Sequence, residues 1–490
     1  MPLAKAGRAA RTCLLVTSER GLAESYERPG VDGVLDRLKS LARARSKSGI
    51  TTFLYVPDAA GAGARRGLPR LTSGLTADGV LGGLRSMEAE VCSGRPADYL
   101  LLVGNSRIVP TWTVDNPAAD SDKDLPSDAP YGSAEPAGGA DAYLVPDRAV
   151  ARVPLDGEPN AAGDLSSFLD RLLARPSGEP RGEPFGLTAA IWRDQAARIY
   201  DLAADAPIRS SPPLGLSSFD PAWLGPRSVL YFNVHGSQEE PYWYGQEGLR
   251  YPKVLSPEVV ARSRPAASLV VTEACYGGLV ECRSPQTSIA LAFLAAGAAA
   301  LVGASAIAYG SPDVRLTEAD LAAYLLLKRV LAGERYGDAF RESKIDFAAE
   351  MLSRQGYLDG DDKKTLLEFN LFGDPTASLA PVEGGRGQAL MIPEDVLESV
   401  KRLVAARFPE MEGVDPDLAE ESVALDGGLA EKVLKLRPQH AKGDGESVRE
   451  RRVFVASFAR LVISGERRVE RIVRITFDER GEVLKIVTSK

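Results

Sequence analysis

The stretch that decides the fold is Leu269-Val-Val-Thr-Glu-Ala-Cys275-Tyr-Gly-Gly278. Its β-branched, apolar run stops abruptly at a small residue, a cysteine and two glycines. Such a run is typical of a buried strand in a parallel sheet, and the glycines indicate a turn at its carboxyl end. Active sites of open α/β sheets lie at the carboxyl ends of strands. Cys275 therefore stands where a reactive group would be useful.

A second stretch of the same form, Ser228-Val-Leu-Tyr-Phe-Asn-Val-His235-Gly236, lies upstream. An apolar strand again ends in a reactive side chain followed by glycine. The chain has only two histidines, and the other one, His440, lies far along the chain in a polar segment. If Cys275 is a nucleophile that needs an imidazole partner, His235 is the main candidate.

The length, net charge and cysteine content of the chain limit the class of protein to which it can belong. A chain of 490 residues is too long for one core, so two or three domains are expected. The net charge of −8 argues against nucleic acid or anionic membranes as partners. No apolar run approaches the roughly 20 residues of a membrane span. Four cysteines make neither a disulfide framework nor a zinc site. We expect a cytoplasmic protein, although export without a signal peptide stays open.

The order of elements predicts an α/β fold. Strand and helix patterns alternate over residues 12–173 and again over residues 186–380, which indicates mostly parallel sheets with helices on their faces. The segment 113–142 has little apolar periodicity and predicts a long loop. A polar linker at 177–183 separates two adjacent subdomains, at 1–183 and 184–382.

Beyond Pro381 the pattern changes, and residues 383–490 predict a small α+β domain. A glycine-rich hinge precedes an amphipathic helix at 392–407. The segments 452–463, 469–477 and 483–488 alternate apolar and polar residues, which indicates an antiparallel meander. Its basic residues alternate with acids and predict a solvated face: Arg467, Arg468, Arg471 and Arg474. This domain is a candidate for docking an inhibitor, a substrate or the rest of the chain.

Together these motifs resemble the clan CD cysteine peptidases, which include caspases and gingipains, and the gingipain family fits best. The resemblance covers roughly residues 12 to 380. The matching motifs are Val234-His-Gly-Ser237, Glu273-Ala-Cys275, Phe372-Gly-Asp-Pro375, Leu101-Leu-Val-Gly-Asn105 and Val145-Pro-Asp-Arg-Ala-Val-Ala-Arg152. Residues 383–490 do not resemble the immunoglobulin-like domain of secreted gingipains. The resemblance implies a caspase/gingipain-like fold and thiol chemistry.

The resemblance assigns roles to residues. Cys275 is the nucleophile that forms an acyl-enzyme, and His235 is the general acid that protonates the leaving amine. The backbone N–H groups of Gly236 and Cys275 form the oxyanion hole. An acidic residue that supports the histidine would be Asp156 or Glu158, and the register leaves both open.

The resemblance also bears on specificity and cofactors. Asp170, in Phe168-Leu-Asp170-Arg171, stands where the family has the acidic floor of the S1 pocket, which would select Arg or Lys at P1. Tyr309 stands where the family has an aromatic pocket wall. No cofactor is required, but gingipain-type folds can carry structural calcium, and the acidic loop at 120–147 offers oxygen ligands. No EF-hand spacing is present.

The sequence thus predicts a bacterial-type, gingipain-like cysteine endopeptidase that cleaves proteins or peptides after Arg or Lys. A cytoplasmic peptidase must be restrained, so we expect restricted specificity, latency, or an inhibitory or activating protein partner. Arg65-Arg66 would be a natural self-cleavage site. Two alternatives stay open: a clan CD peptidase with another P1 preference, such as Asp, and a non-catalytic caspase-like binding module.

Overall fold

The structure is a computed structural model. It describes residues 11–59, 71, 75–92, 94–134, 139–156, 165–174, 182–263, 269–311, 315–379, 408, 417–423, 432–433, 435–437, 451–464, 467–478 and 483–489. For residues 417–423, 451–464, 467–471, 476–478 and 483–484 it describes the backbone. Several predictions lie outside the described residues, namely the roles of Glu158, His440 and Arg65-Arg66, most of the linker at 177–183, the hinge and the helix at 392–407.

In the first part of the chain, strands and helices alternate as predicted. The strands are β1 (Arg11–Val16), β2 (Ile50–Tyr55), β3 (Tyr99–Val103), β4 (Trp112–Asp115), β5 (Asp124–Ser127) and β6 (Ala149–Val153). The helices are α1 (Glu19–Ser25), α2 (Arg28–Lys47), α3 (Ala77–Val91), α4 (Ala129–Gly132) and α5 (Leu165–Ala174).

The second part continues the alternation. Its strands are β7 (Phe185–Ala189), β8 (Arg209–Ser211), β9 (Val229–Asn233), β10 (Trp243–Tyr244), β11 (Lys253–Leu255), β12 (Leu269–Thr272), β13 (Ala300–Ala304), β14 (Tyr309–Gly310) and β15 (Phe369–Gly373). Its helices are α6 (Arg193–Tyr200), α7 (Pro257–Ser263), α8 (Ile289–Ala296), α9 (Glu318–Leu331), α10 (Tyr336–Gln355) and α11 (Gly360–Glu368).

One ten-stranded sheet runs through both parts, in the order β2-β1-β3-β6-β15-β13-β12-β9-β7-β8. All neighbouring strands are parallel except β13 and β15, which are antiparallel. β15 also pairs with β6 and so joins the two halves of the sheet. The central strands are buried along their whole length, which explains their continuous apolar runs. The carboxyl ends of β9 and β12 therefore open on the same edge of the sheet.

Helix α8 shows how local sequence sets an element's limits. Ser284 followed by Pro285 has the pattern of a helix start. Instead the helix begins at Ile289, because Ser288 is the N-cap and its hydroxyl accepts a hydrogen bond from the N–H of Leu291. The helix ends at Ala296, and the C-cap is Gly297, where φ is +125° and a side chain would be strained.

The segment 113–142 is more ordered than predicted. β4 and β5 pair as an antiparallel hairpin, and α4 follows. The polar residues at the hairpin tip, Asp120 and Asp122, have side chains that are only 1% and 8% exposed. The prediction of a long loop was therefore wrong, because this polar segment forms buried contacts with distant parts of the chain.

The C-terminal strands form the predicted meander, β17 (Arg451–Ser464), β18 (Arg467–Asp478) and β19 (Val483–Ser489), preceded by β16 (Asp417–Val423). All neighbours in this sheet are antiparallel. The last strand, β19, pairs with β14, so the sheet has five strands in the order β14-β19-β18-β17-β16. The C-terminal sheet thus includes β14, a short strand that follows β13 in the chain and is separate from the ten-stranded sheet. Among the described helices, none has the length and apolarity needed to cross a bilayer.

Candidate active site

The strands that carry His235 and Cys275 are neighbours. β9 and β12 are parallel, with Leu269 opposite Val229 and Thr272 opposite Phe232. The pairing continues one residue past β12, where the N–H of Glu273 donates to the carbonyl of Phe232 over 2.9 Å. Both predicted catalytic residues therefore leave the sheet from adjacent strand ends, as the sequence indicated.

Gly236 marks the point where the two strand ends meet. A Cβ at this position would lie 1.8 Å from the carbonyl oxygen of Cys275 and 3.3 Å from the Cβ of Ala274. No side chain fits there, so only glycine allows this approach. The residue after the candidate general acid is thus in backbone contact with the candidate nucleophile.

The turn predicted after Cys275 is present. Tyr276, and not a glycine, adopts the left-handed conformation, with φ of +54°. Such a conformation is costly for a bulky residue and is common at functional sites. The glycines serve close packing instead, since a Cβ at Gly278 would lie 2.4 Å from the carbonyl oxygen of Gly303 in β13.

The Cys275 thiol is buried. The residue is 4% exposed, and its Sγ lies 3.5 Å from the carbonyl oxygen of Ala308. Burial raises the pKa of Cys275 to about 12, although the contact with Ala308 opposes the rise. In this closed arrangement the sulfur is a thiol at neutral pH and a weak nucleophile.

His235 is held from several sides. Its backbone N–H and carbonyl both bond to Tyr244 over 2.9 Å, and its ring packs 4.3 Å from that of Trp192. Its Nε2 lies 2.7 Å from Oε1 of Gln246, whose Nε2 donates to the carbonyl of Gly248. That second bond orients the amide, so Nε2 of His235 is the donor. Sequence reasoning missed Gln246, because a single amide gives no periodic signal.

A buried charge cluster supports the loop after Cys275 from below. Oδ1 of Asp122 accepts a hydrogen bond from the Tyr276 hydroxyl, and Oδ2 accepts one from the N–H of Ile307. Nζ of Lys364 lies 2.6 Å from Oδ2 of both Asp122 and Asp120. The β4–β5 hairpin and α11 thus jointly fix the backbone on both sides of the thiol.

Two strands of the C-terminal sheet, β18 and β19, contribute to the burial of Cys275, and we call them the cover. Ile472 of β18 and Val487 of β19 form one apolar cluster with Cys275, Ile307 and Tyr309. Both C-terminal side chains are buried, at 5% and 1% exposure. The burial of Cys275 is therefore due in part to residues outside the ten-stranded sheet.

Ion pairs accompany this cover. The Arg474 guanidinium lies 2.7 Å from Asp361, and its Cζ is 5.5 Å from the centroid of the Tyr309 ring. Nζ of Lys485 lies 2.7 Å from Glu318, 2.7 Å from Asp359 and 3.3 Å from Asp362. The prediction that Arg474 lies on a solvated face was wrong, because its side chain is 1% exposed.

Asp156 lies away from His235. β6, which it follows, is four strand positions from β9, or roughly 19 Å at the usual spacing. Its carboxylate accepts hydrogen bonds from Asn105, over 2.6 Å, and from Arg107. These contacts attach Asp156 to the loop after β3 and do not fit the predicted support of the histidine. Glu158, the alternative, lies outside the described residues.

Asp170 does not fit the predicted floor of the S1 pocket. Its side chain is 54% exposed on α5 and forms a bidentate pair with Arg37 of α2, over 2.8 and 3.0 Å. It is a surface residue between two helices. Tyr309 is fully buried in one cluster with Cys275, and its role as a pocket wall stays a prediction.

The acidic segment proposed for calcium is partly committed to other contacts. Asp120 and Asp122 both bind the ammonium of Lys364, which already supplies the positive charge between them. In the parts of the chain that the structure describes, no group of three or more His, Cys, Asp or Glu side chains is arranged to hold a metal ion. Structural calcium stays a prediction that these residues do not support.

Comparisons with known proteins agree with this geometry. Residues 226–380 match the model of peptidase family C25. The fold is similar to the crystal structure of the Arg-specific cysteine proteinase gingipain R, at 12% identity and a TM-score of 0.50, over 98% of this chain and 96% of that one. It is also similar to a structure described as "Structure of Protease", at 10% identity and a TM-score of 0.52, over 98% and 97% of the chains. No curated protein sequence matches. The segment that contains His235 and Cys275 thus matches the model of a peptidase family, and the chain as a whole has a gingipain-like fold.

Proposed function

We propose that the chain is an endopeptidase that hydrolyses peptide bonds after Arg or Lys through a Cys275/His235 dyad. The observation that carries this proposal is the backbone contact between Gly236 and Cys275 at two adjacent strand ends. A nucleophile, a proton donor and two backbone N–H groups then belong to one small region of the sheet edge.

In the proposed mechanism, once the site is open, His235 takes the proton of the Cys275 thiol, and the resulting thiolate attacks the carbonyl carbon of the scissile bond. The N–H groups of Gly236 and Cys275 stabilise the negative oxygen, and the C–N bond breaks as His235 gives a proton to the leaving amine. Water then attacks the thioester while His235 takes its proton, and the released sulfur regains the resting state. These steps need no cofactor.

Gln246 supports the role of His235. Its Oε1 accepts the hydrogen bond from Nε2 and fixes the ring orientation, so proton exchange with the substrate is assigned to Nδ1. An amide does not carry the charge of the acid that the family resemblance implied. Gln246 is therefore a positioning residue in this proposal, in the place we first assigned to Asp156 or Glu158.

The preference for basic residues now has a different support. Asp170 is a surface residue, but the carboxylate of Asp361 lies beyond the Tyr309 ring and binds an arginine of the chain itself, Arg474. A buried carboxylate selects a basic side chain, because only a positive charge offsets its desolvation. The four cysteines favour a reducing compartment. Restricted specificity and control by a protein partner complete the proposal.

A non-catalytic binding module is the second candidate. The observation that favours it is the closed state of Cys275, which is 4% exposed and has a pKa raised to about 12 by burial. A module of this kind would never need a reactive thiol. An enzyme, in contrast, must reach a state in which the thiol is exposed and ionised.

A panel of fluorogenic peptides with Arg, Lys, Asp or Leu at P1 tests the proposal. It is applied to the wild type and to the Arg474→Ala/Lys485→Ala variant, in which the cover of Cys275 is weakened. We expect cleavage of the Arg and Lys peptides, and a loss of about a thousandfold or more in the matched Cys275→Ala control. Preferred cleavage after Asp would establish the rival specificity. A thiol that becomes reactive in the variant without any cleavage would establish the binding module.

A further inference from the structure

The C-terminal sheet makes three kinds of contact at the candidate active site. β19 extends the edge of β14, with Ser489 opposite Tyr309 and Thr488 opposite Gly310. Ile472 of β18 and Val487 of β19 belong to one buried apolar cluster with Cys275. Buried cations of the same two strands pair with carboxylates at the amino ends of α9 and α11. The C-terminal sheet thus binds the region around Cys275 through main-chain pairing, apolar packing and ion pairs together.

The register of β19 relates these contacts to each other. Alternate residues of a strand face the same side and are roughly 6.8 Å apart. Val487 packs in the cluster with Cys275, and Lys485, two residues before it, reaches the carboxylates. An extended segment bound along β14 can therefore place one side chain over the thiol and a basic side chain in the acidic pocket.

The acidic pocket, formed by Glu318, Asp359, Asp361 and Asp362, has an excess of carboxyl groups. Two cations, Lys485 and Arg474, are bound by these four residues, and all are buried. Burial raises the pKa of Asp362 well above its ordinary value, and repulsion by Asp359 adds to the rise. Such a pocket is costly to bury unless it is filled by positive charge.

We propose that the edge of β14 and the acidic pocket form a cleft for an extended substrate segment with a basic side chain, and that the C-terminal sheet occupies this cleft in a latent enzyme. Arg474 and Lys485 take the place of the substrate's basic residue. The inference rests on the proposed peptidase function. Peptides commonly bind by adding a strand to a sheet edge, with side-chain pockets giving specificity.

While the C-terminal sheet is in its present position, Cys275 cannot react with a substrate. A substrate carbonyl must come within about 3.5 Å of the sulfur, but Cys275 is now buried in one apolar cluster with Ile472 and Val487. The sheet must therefore move before the enzyme acts. On release, water reaches the thiol, and the pKa of Cys275 falls from about 12 toward the ordinary range of a cysteine.

The test measures the alkylation of Cys275 by iodoacetamide in the full chain, resolved by site with mass spectrometry. Cys282, which is exposed, is the internal reference. We expect the Arg474→Ala/Lys485→Ala variant to raise the rate at Cys275 by about tenfold or more, because each unit of fall in pKa raises the thiolate fraction about tenfold. Hydrogen exchange at Tyr309 and Gly310 should rise with it.

Arg437→Ala is the matched control. Arg437 also comes from the C-terminal part and pairs with Glu342 and Asp346 of α10, away from the thiol. It should leave the rate at Cys275 unchanged. Ile472→Ala/Val487→Ala is a second way to weaken the cover without removing charge, in case the first variant does not fold.

The substrate half of the inference is tested by binding, without catalysis. A fluorescent peptide with one Arg is compared with its Gln analogue on the Cys275→Ala/Arg474→Ala/Lys485→Ala chain. The Arg peptide should bind more tightly, and Asp361→Asn should remove the difference. Equal binding of the two peptides, or unchanged alkylation in both cover variants, would overturn the inference. Faster alkylation without peptide cleavage would instead contradict only the proposed peptidase function.

Discussion

Two buried lysines, Lys364 and Lys485, both pair with buried carboxylates but connect different parts of the structure. Lys364 pairs with Asp120 and Asp122, and its side chain is fully buried. Lys485 pairs with three carboxylates and is 3% exposed. Lys364 joins α11 to the β4–β5 hairpin. Lys485 belongs to the C-terminal sheet, which pairs with β14 through only two residue pairs. A buried lysine–carboxylate pair thus stabilises the candidate active site in the case of Lys364. In the case of Lys485, we propose that it keeps the site closed.

Tyr309 lies between the two charge clusters. Its ring centroid is 5.4 Å from Nζ of Lys364 and 5.5 Å from Cζ of Arg474, and its hydroxyl donates to Asp120 over 2.9 Å. One residue thus contacts the cluster that fixes the cysteine loop and the cluster that binds the cover. Substitutions in the first cluster should change stability, and substitutions in the second should change access to the thiol.

The largest effect is expected for Lys364→Met. The change leaves Asp120 and Asp122 buried without a counter-charge, which should lower the free energy of unfolding by about 3–5 kcal/mol. The neighbouring Lys363→Met is the matched control, since Lys363 forms a partly exposed pair with Asp141 and its loss should cost less than about 1 kcal/mol. Urea unfolding of both variants measures the difference. Equal losses would show that the Lys364 cluster is not structural.

A smaller effect, on access and not on folding, is expected for Asp359→Asn. Lys485 is a major cause of the lowered pKa of Asp359, so this carboxyl is ionised, and its loss should weaken the cover and raise alkylation of Cys275 several-fold. Asn still caps α11. Asp362→Asn is the matched control, because burial raises the pKa of Asp362 and an amide resembles its protonated form. Faster alkylation in the Asp362→Asn variant than in Asp359→Asn would contradict this assignment of charge.

The strand ends that carry the two candidate catalytic residues could be predicted from the sequence. The strands β9 and β12 and the positions of His235 and Cys275 follow from local patterns, since an apolar run with a reactive residue and a glycine at its end is visible without knowledge of any partner. Adjacent placement followed from the parallel alternation of elements. The order of the central strands and the antiparallel β15 are set by pairings that no local pattern records.

The charge clusters could not be predicted in this way. Asp120 lies 244 positions from Lys364, and the acidic, proline-containing segment around it has the composition of an exposed loop. Arg474 has the spacing of a solvated strand face, and only the acidic pocket opposite it explains its burial. Asp170 shows the converse error, in which a short motif suggested a pocket but the helix presents the residue to solvent. Long-range charge pairs leave no periodic trace in a sequence.

The smallest effect is expected for Tyr309→Phe, which tests whether the two clusters are separable. Burial and the nearby Asp120 raise the pKa of Tyr309 well above its ordinary value, so the hydroxyl stays protonated and donates to Asp120. Removing it should lower the free energy of unfolding by about 0.5–1.5 kcal/mol. The ring remains beneath Arg474, so the rate of alkylation at Cys275 should not change. A clear rise in that rate would mean that the hydroxyl bond transmits strain between the clusters, and that the cover and the support of the cysteine loop act as one unit.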